Sequence, residues 1–110
     1  MSSKKTAASK RTNLPRAADY TKAFLKDWER LSHSGRYDMK RLKEVMGLLT
    51  ANDASLPPEW LDHELDHDWA GHRECHVGGD FLLIYKLAAV KPEMIVFTRA
   101  GTHSELFKKG

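Results

Sequence analysis

Five polar side chains in the second half of the 110-residue sequence have types and positions suited to acid–base chemistry. His63 precedes the segment that we predict to form a sheet. His76 ends one predicted strand, and Asp80 begins the next. Arg99 and His103 lie on either side of the glycine that closes the last predicted strand. Folding could therefore bring together three imidazoles, a carboxylate and a guanidinium.

Metal-free cleavage of RNA needs side chains of these types. A base takes the proton from the 2′-hydroxyl, an acid protonates the leaving 5′-oxygen, and a cation neutralises the charge that develops on the phosphate oxygens. Histidine titrates near neutral pH, so two histidines can hold opposite protonation states and fill both proton roles. Arginine presents a two-pronged donor to phosphate. The five residues are therefore a candidate ribonuclease site that needs no cofactor.

A zinc hydrolase is the competing interpretation of the same region. The run from His63 to His67 has the form His-Glu-x-x-His, in which two histidines one helical turn apart bind zinc and the glutamate is the base. The pattern is short, and Ala70 and Arg73 occupy the places where a longer zinc motif has its third ligand. We therefore predict no metal site and keep zinc chemistry as an alternative.

Length and composition narrow the class of protein. A chain of 110 residues is enough for one domain, and the absence of a run of about 18 apolar residues predicts no transmembrane helix. The first residues are basic but lack the apolar core of a secretory signal. Cys75 is the only cysteine, so no internal disulfide can form, and we expect a reducing, cytoplasmic location without membrane association.

The net charge of +3 is unevenly distributed. Residues 1–16 contain five basic side chains and no acidic one, so the remaining residues sum to −2. We predict a basic flexible tail over residues 1–16 and a folded domain over residues 17–110. Because the folded part is not basic overall, nucleic-acid binding would need a local patch rather than bulk charge.

Two helices are predicted in the first half of the chain, after a short edge strand near Leu14–Ala18. Asp19 or Thr21 is expected to cap the first helix. Its apolar stripe has spacings of four, four and three residues, at Tyr20, Phe24, Trp28 and Leu31. Ser34-Gly35 interrupts the pattern, and a second helix is predicted from Tyr37 to Thr50. The short break favours a helix hairpin.

Three strands are predicted in the second half, over Gly71–Val77, Phe81–Ala88 and Met94–Ala100. The middle strand is apolar on both faces, as expected of a central strand. A short helical turn near Ser104–Phe107 follows the last strand. The order of two helices followed by an antiparallel sheet predicts an α+β fold, with the helix hairpin packed on one face of the sheet.

The dipeptide Gly78-Gly79 predicts a two-residue hairpin turn, because glycine accepts the positive φ that such turns need. With that turn, His76 lies opposite Phe81, and opposed residues share a face of the sheet. Alternation then places Glu74 and His76 on the face away from the helices, together with Phe81. A histidine beside an aromatic ring suits RNA, whose bases stack on aromatic side chains.

Four stretches of the sequence, taken together, resemble the YafQ branch of the RelE/ParE superfamily, whose members are toxins of type II toxin–antitoxin pairs. The order and spacing of these stretches are more specific than any single motif, and the similarity extends over roughly residues 20–107. The stretches are Leu56–His63, Gly71–Val77, Asp80–Lys86 and Phe97–Phe107.

This resemblance implies a fold similar to that of microbial ribonucleases, with two helices on one face of a curved, mostly antiparallel sheet and the active site on the other. It implies an mRNA interferase that enters the A site of the ribosomal 30S subunit, cleaves the bound mRNA by attack of the 2′-hydroxyl, and thereby stops translation. It further implies a cognate antitoxin that blocks the toxin, and binding of operator DNA only through the toxin–antitoxin complex.

The resemblance also implies roles for individual residues. Proton transfer and its support would fall to four residues, which are His63, His76, Asp80 and His103. Arg99 matches the family arginine that neutralises phosphate charge. The resemblance leaves open which histidine is the base and which is the acid.

Two aromatic residues are implied at the edge of the site. Phe107 matches a terminal aromatic residue that closes the site against a base, and Phe81 would stack on RNA. Phe81 departs from the family pattern, which usually has tryptophan at this position, and it lacks the indole N–H. The alternative function is a non-catalytic toxin of the ParE type, which has the same fold without an acid–base cluster. The histidines argue against that alternative.

Overall fold

The computed structural model describes residues 14–88 and 93–107. The helices in these residues are α1 (Lys22–Ser34), α2 (Met39–Ala51) and α3 (His103–Leu106). The strands are β1 (Ala17–Tyr20), β2 (His63–Glu64), β3 (Arg73–Gly78), β4 (Phe81–Ala88) and β5 (Met94–Gly101). The described strands form one sheet in the order β1-β5-β4-β3-β2, in which only the β1–β5 pair is parallel. The predicted α+β class with a mostly antiparallel sheet is confirmed.

The N-terminal strand lies at the edge of the sheet, as predicted, but begins later than expected. β1 pairs with β5 in parallel, starting at Ala17 opposite Met94. Just before it, the Arg16 backbone N–H donates to Thr50 O at 2.8 Å, and Arg16 Nη1 donates to Leu49 O at 2.6 Å. The last carbonyls of a helix lack partners within the helix, so Arg16 satisfies two of them in α2. Of the predicted tail, residues 1–13 lie outside the described residues, whereas Arg16 contacts the folded domain.

Local capping signals define the helix hairpin. The Thr21 hydroxyl accepts from the Phe24 N–H at 2.9 Å, which confirms one of the two predicted caps of α1. Gly35 follows α1 with a φ of 71°, in the left-handed region that favours glycine. The Asp38 carboxylate begins α2 by accepting from the Arg41 N–H at 3.1 Å. Neither these helices nor any other helix among the described residues is long and apolar enough to cross a membrane.

The larger hydrophobic core lies between the helix hairpin and one face of the sheet. α1 contributes Phe24 and Leu31, and α2 contributes Leu42 and Val45, all of them fully buried. The sheet contributes mainly alternate residues, which are Cys75, Val77, Phe81, Leu83, Tyr85, Ile95 and Phe97. Removal of this apolar area from water is the main stabilising contribution to the fold. Tyr20, predicted as part of the α1 stripe, lies in β1 instead and is exposed.

The opposite face of the sheet, here called the open face, has a smaller apolar cluster. Leu82 and Ile84 of β4 are fully buried there in contact with Leu106 of α3. Three partly buried side chains pack around them, and these are Leu65, Trp69 and Phe107. β4 is therefore apolar on both faces, as predicted for a central strand.

The β3–β4 hairpin differs in register from the prediction. A bulge between His76 and Gly78 places Gly78 opposite Phe81, and His76 opposite Leu82. A shift of one residue exchanges the two faces of a strand. Phe81 therefore points into the helix-side core, where it is 5% exposed and its ring centroid lies 5.0 Å from that of Tyr37. The predicted position of Phe81 on the open face, for stacking on RNA, is wrong.

The segment from His63 to His67 forms no helix. His63 and Glu64 form β2 opposite Glu74 and Arg73, and His67 begins a 3₁₀ turn with a φ of 55°. The two histidines are therefore not one helical turn apart, as the zinc pattern requires. In residues 14–88 and 93–107, no three His, Cys, Asp or Glu side chains have the arrangement of a metal site. The helical geometry that the zinc hydrolase alternative requires is therefore not formed.

Candidate active site

A buried carboxylate and two histidines form the centre of the site on the open face. The pairing of β2 with β3 places His63 directly opposite Glu74, and His76 follows Glu74 by two residues on the same face. Nε2 of His63 lies 3.4 Å from Glu74 Oε2, and Nε2 of His76 lies 3.3 Å from the same oxygen. The Glu74 side chain is 4% exposed, against 51% for His63. One buried carboxylate thus contacts two imidazoles, each of which is more accessible than the carboxylate itself.

The His63 ring lies between two acceptors. Its Nδ1 is 2.8 Å from the backbone oxygen of Leu61, and its Nε2 faces the Glu74 carboxylate. A neutral imidazole has only one N–H, whereas the imidazolium form donates from both nitrogens. Both ring nitrogens of His63 therefore face an oxygen acceptor.

A second pair of carboxylate and histidine lies at the other end of the open face. His103 begins α3, whose start is fixed by reciprocal hydrogen bonds between Thr102 and Glu105. Asp80 Oδ1 accepts from the His103 backbone N–H at 3.0 Å and lies 2.9 Å from Nδ1 of the ring. These contacts, the backbone hydrogen bond first, lower the pKa of Asp80 below its ordinary value. With Nδ1 directed at Asp80, Nε2 is the ring nitrogen of His103 that a substrate would meet.

The three histidines form a continuous row across the sheet. The ring centroids of His63 and His76 are 6.2 Å apart, and those of His76 and His103 are 6.0 Å apart. The ring of Phe107 comes next, with its centroid 5.7 Å from that of His103. The structure therefore brings together the four residues assigned to proton transfer and places Phe107 at the end of the row.

Arg99 pairs with a buried carboxylate of α1. Its Nε lies 2.6 Å from Asp27 Oδ2, and its Nη2 lies 3.1 Å from Oδ1. Asp27 also accepts from the Ala100 N–H at 3.0 Å and from Arg30 Nη2 at 3.1 Å. Burial opposes the charge on Asp27, but these hydrogen bonds outweigh it and lower its pKa, and the hydrogen bond to Asp27 raises the pKa of Arg99.

This pairing gives Arg99 a partner that the sequence did not predict. Among the described residues, the guanidinium forms its hydrogen bonds and its ion pair with Asp27, and none with Asp80 or a histidine. The sequence shows an arginine near the end of a strand, but not the buried carboxylate 72 residues earlier that takes up its charge. Arg99 joins β5 to α1 in this structure.

Glu74 is the site residue to which the sequence pattern gave no role. The sequence nevertheless indicates its position, because alternation along the strand puts Glu74 on the same face as His76. Glutamate is almost never fully buried unless it is paired. A glutamate in a strand flanked by apolar strands, with a histidine two residues away, is therefore a candidate for a site residue.

Comparison with known proteins identifies the family. A family model described as a bacterial toxin of a type II toxin–antitoxin system, YafQ, matches residues 16–108. The chain belongs to the YafQ toxin family. The mRNA interferase toxin YafQ of Escherichia coli (strain B / BL21-DE3) is 39% identical over 94 residues, which cover 86% of this chain and 98% of that relative.

Solved structures of YafQ toxins have the same fold as this chain. The crystal structure of YafQ from Escherichia coli strain BL21(DE3) matches with a TM-score of 0.75 and 39% identity, over 84% of this chain and 98% of that one. The toxin in the crystal structure of the Escherichia coli DinJ–YafQ complex matches with a TM-score of 0.73 and 40% identity, with the same coverage. The resemblance to YafQ in the sequence is confirmed, and the row of histidines lies within the residues that the family model matches.

Proposed function

We propose that this YafQ-family chain is an mRNA interferase, an endoribonuclease toxin that stops translation by cleaving mRNA in the ribosomal A site. The observation that carries the proposal is the row of three histidines held by Glu74 and Asp80 on the open face. Such imidazoles can supply and accept the protons that RNA cleavage moves. The family match and the name of the Escherichia coli relative support the same activity.

The proposed reaction transfers the phosphoryl group within the RNA strand. An imidazole accepts the proton of the 2′-hydroxyl while its oxygen attacks the adjacent phosphorus. The bond between phosphorus and the 5′-oxygen breaks, and a protonated imidazole gives that oxygen its proton. The products are a 2′,3′-cyclic phosphate and a 5′-hydroxyl, so that atoms and protons balance without a cofactor.

The contacts of the three rings favour a division of roles. Asp80 faces Nδ1 of His103, so Nε2 carries the lone pair, and His103 is the proposed base. His76 lies between the other two rings and is the proposed acid. His63, whose nitrogens face a backbone carbonyl and Glu74, would supply positive charge to the phosphate. In this division a histidine takes the part first assigned to Arg99.

The proposal includes the partners implied by the family. A cognate antitoxin would bind this chain, as DinJ forms a complex with YafQ in Escherichia coli. The 30S A site would present the mRNA, and operator DNA would be bound only through the toxin–antitoxin complex. The proposed site of action is the cytoplasm, where ribosomes translate.

Mapping RNA ends on ribosome-bound mRNA tests the proposal. The wild type is compared with His76→Gln and His103→Gln, whose amides remain polar but do not exchange a proton near neutral pH. His33→Gln is the matched control, because His33 is exposed on α1 and its Nδ1 contacts Glu29 O outside the site. We expect cleavage by the wild type and the control, and a loss of about 100- to 10,000-fold in both site variants.

Three results would be informative beyond the rate. Cleavage should persist with a zinc-selective chelator that leaves the Mg²⁺ of the ribosome in place, since no step of the proposed reaction uses a metal ion held by the protein. Equal cleavage by the wild type and both site variants would contradict the assignment of the histidines. Toxicity of the wild type without any RNA cleavage would instead indicate a non-catalytic toxin of the ParE type.

A further inference from the structure

A groove beside Asp80 has no part in the proposed mechanism. It lies where the β3–β4 turn, residues 78–80, faces the loop between α1 and α2, residues 36–38, and its volume is about 420 Å³. Phe81 and Thr102 complete its walls. We propose that this groove, here called the turn groove, binds the nucleoside next to the scissile phosphate of the substrate RNA. The turn groove would then be a specificity element of the proposed function, on which the inference rests.

The turn groove shares residues with the proton-transfer site. Asp80 lines the groove and also holds His103 through two contacts of its Oδ1, at 3.0 and 2.9 Å. Thr102 lines the groove and caps α3 immediately before His103. RNA with its scissile phosphate at His103 would therefore have an adjoining nucleoside next to the groove.

The wall of the turn groove offers an aromatic surface. The ring centroids of Tyr37 and Phe81 are 5.0 Å apart, with an angle of 54° between the rings. Phe81 is buried and forms the back of the groove, whereas Tyr37 is half-buried and leaves part of its side chain accessible. Unpaired RNA bases bind proteins by stacking on such rings. The ring of Tyr37 is therefore the proposed surface for the base.

The rim of the turn groove is polar. Arg36 is exposed there, and guanidinium groups bind phosphate oxygens through two parallel hydrogen bonds. Asp38 and Thr102 also line the groove, although one Asp38 oxygen caps α2 and the Thr102 hydroxyl caps α3. The lining thus has one cation, Arg36, and two carboxylates, Asp38 and Asp80, and it combines an aromatic surface with acceptors for the amino groups of a base, which suits a nucleoside better than an apolar peptide.

The two glycines of the turn are not explained by the backbone conformation. Neither Gly78 nor Gly79 has a positive φ, contrary to the sequence-based prediction. A Cβ added to Gly79 would meet no atom within 4 Å, and one added to Gly78 would meet only Phe81 Cβ, at 3.6 Å. Glycine within or beside a strand often marks a place where a ligand approaches the backbone closely. The bare backbone at this groove supports the same inference.

Binding to a non-cleavable substrate tests the aromatic wall. Ribosomes carry an mRNA with 2′-O-methyl groups in the A site, which blocks the attacking hydroxyl, and the dissociation constant is measured by fluorescence anisotropy. Tyr37→Leu should raise Kd about 10-fold, because leucine cannot stack on a base, whereas Tyr37→Phe should bind as the wild type does. Tyr20→Leu is the matched control, since Tyr20 is exposed on β1 and does not line the groove.

The rate of cleavage separates binding from chemistry. The single-turnover rate on saturating unmodified mRNA should change by less than about 2-fold in Tyr37→Leu, because Tyr37 would not touch the reacting atoms. The preference for the base in the groove should relax in the same variant.

The charged rim provides a second variant that does not disturb the core. Arg36→Gln should raise Kd for the methylated complex about 5-fold, because a phosphate contact is lost. Lys40→Gln is its control, because Lys40 is an exposed cation near the start of α2 that does not line the groove. Both substitutions are at exposed positions, so their melting temperatures should match that of the wild type.

Two results would overturn the assignment of the turn groove. One is a wild-type Kd in both Tyr37→Leu and Arg36→Gln. The other is weaker binding of the antitoxin with unchanged binding of RNA, which would make the groove a protein interface. Failure of the proposed function is a different result, namely no cleavage of unmodified mRNA by the wild type, and it is seen independently of binding to the methylated mRNA.

Discussion

Asp27 and Glu74 are buried carboxylates of similar exposure, but the side chains that contact them differ, being arginines at Asp27 and histidines at Glu74. Asp27, 4% exposed, is held by two guanidinium groups and a backbone N–H, whereas Glu74, 3% exposed, lies beside two imidazoles. Arginine keeps its charge at any physiological pH, so the Asp27 cluster joins α1 to β5 permanently. Imidazole exchanges its proton near neutral pH, so the Glu74 cluster is suited to chemistry. On the proposed function, the partner, more than burial itself, distinguishes a structural carboxylate from one that holds catalytic histidines.

Loss of the Asp27 charge should have the largest effect, which is a decrease in the stability of the folded state. In Asp27→Asn the free energy of unfolding should drop by about 3 kcal/mol, because buried donors lose a charged acceptor. Urea unfolding measures this change. Glu29→Gln, at an exposed position of the same helix, is the control and should stay within about 0.5 kcal/mol of the wild type. An equally small change in Asp27→Asn would remove the distinction between the two carboxylates.

Loss of the Glu74 charge should instead lower the proposed cleavage activity. Glu74→Gln should lower the rate of mRNA cleavage about 100-fold, because an amide lacks the negative charge that faces Nε2 of both His63 and His76. Single-turnover cleavage of ribosome-bound mRNA is the measurement. Glu64→Gln, on β2 with an exposed side chain, should cleave as the wild type does. Full activity of Glu74→Gln would show that Glu74 only supports the fold.

Arg99→Lys decides whether Arg99 belongs to the structural or the reactive cluster. Lysine keeps the charge but cannot make both hydrogen bonds to Asp27, so we expect about 1 kcal/mol lower stability and a cleavage rate within about 3-fold of the wild type. Thermal unfolding and cleavage are measured on the same sample, at a temperature where the variant is folded. A much larger loss of cleavage with unchanged stability would restore the predicted contact of Arg99 with phosphate.

The smallest expected effect is the pH dependence of stability. The pKa of Asp27 in the folded protein lies below its ordinary value of 3.8, so its contribution is complete above that pH and is lost as the pH falls through the lowered pKa. Urea unfolding from about pH 5 downward should therefore show a steeper loss of stability in the wild type than in Asp27→Asn. Parallel curves for the two proteins would mean that the folded state does not favour the charged form of Asp27.

Local patterns in the sequence were sufficient for the two helices of the hairpin, for the three long strands and for the proximity of His76 to Asp80. Thr21 and Gly35 mark the ends of α1 through chemistry that involves only neighbouring residues. The apolar run of β4 identifies the central strand, which then fixes the places of its neighbours. His76 and Asp80 flank one hairpin, so any antiparallel pairing keeps them near the same end of the sheet.

Features that depend on distant contacts could not be predicted. The bulge before Gly78 turns Phe81 to the opposite face of the sheet. The length and composition of the turn do not predict this bulge. Glu74 acquires its role only when His63 pairs across from it in β2. The bond between Asp27 and Arg99 joins α1 to β5, and its formation depends on how the helix packs on the sheet.

The four-residue helix α3 contributes one residue to the row of histidines and another to the apolar cluster of the open face. His103 at its start belongs to the row of histidines, and Leu106 at its end covers Leu82 and Ile84. A chain that stops before α3 would lose a proton carrier and uncover the apolar side of the central strand at the same moment. Such a shortened chain would lack one of the three imidazoles of the proposed site and would be prone to aggregation and proteolysis.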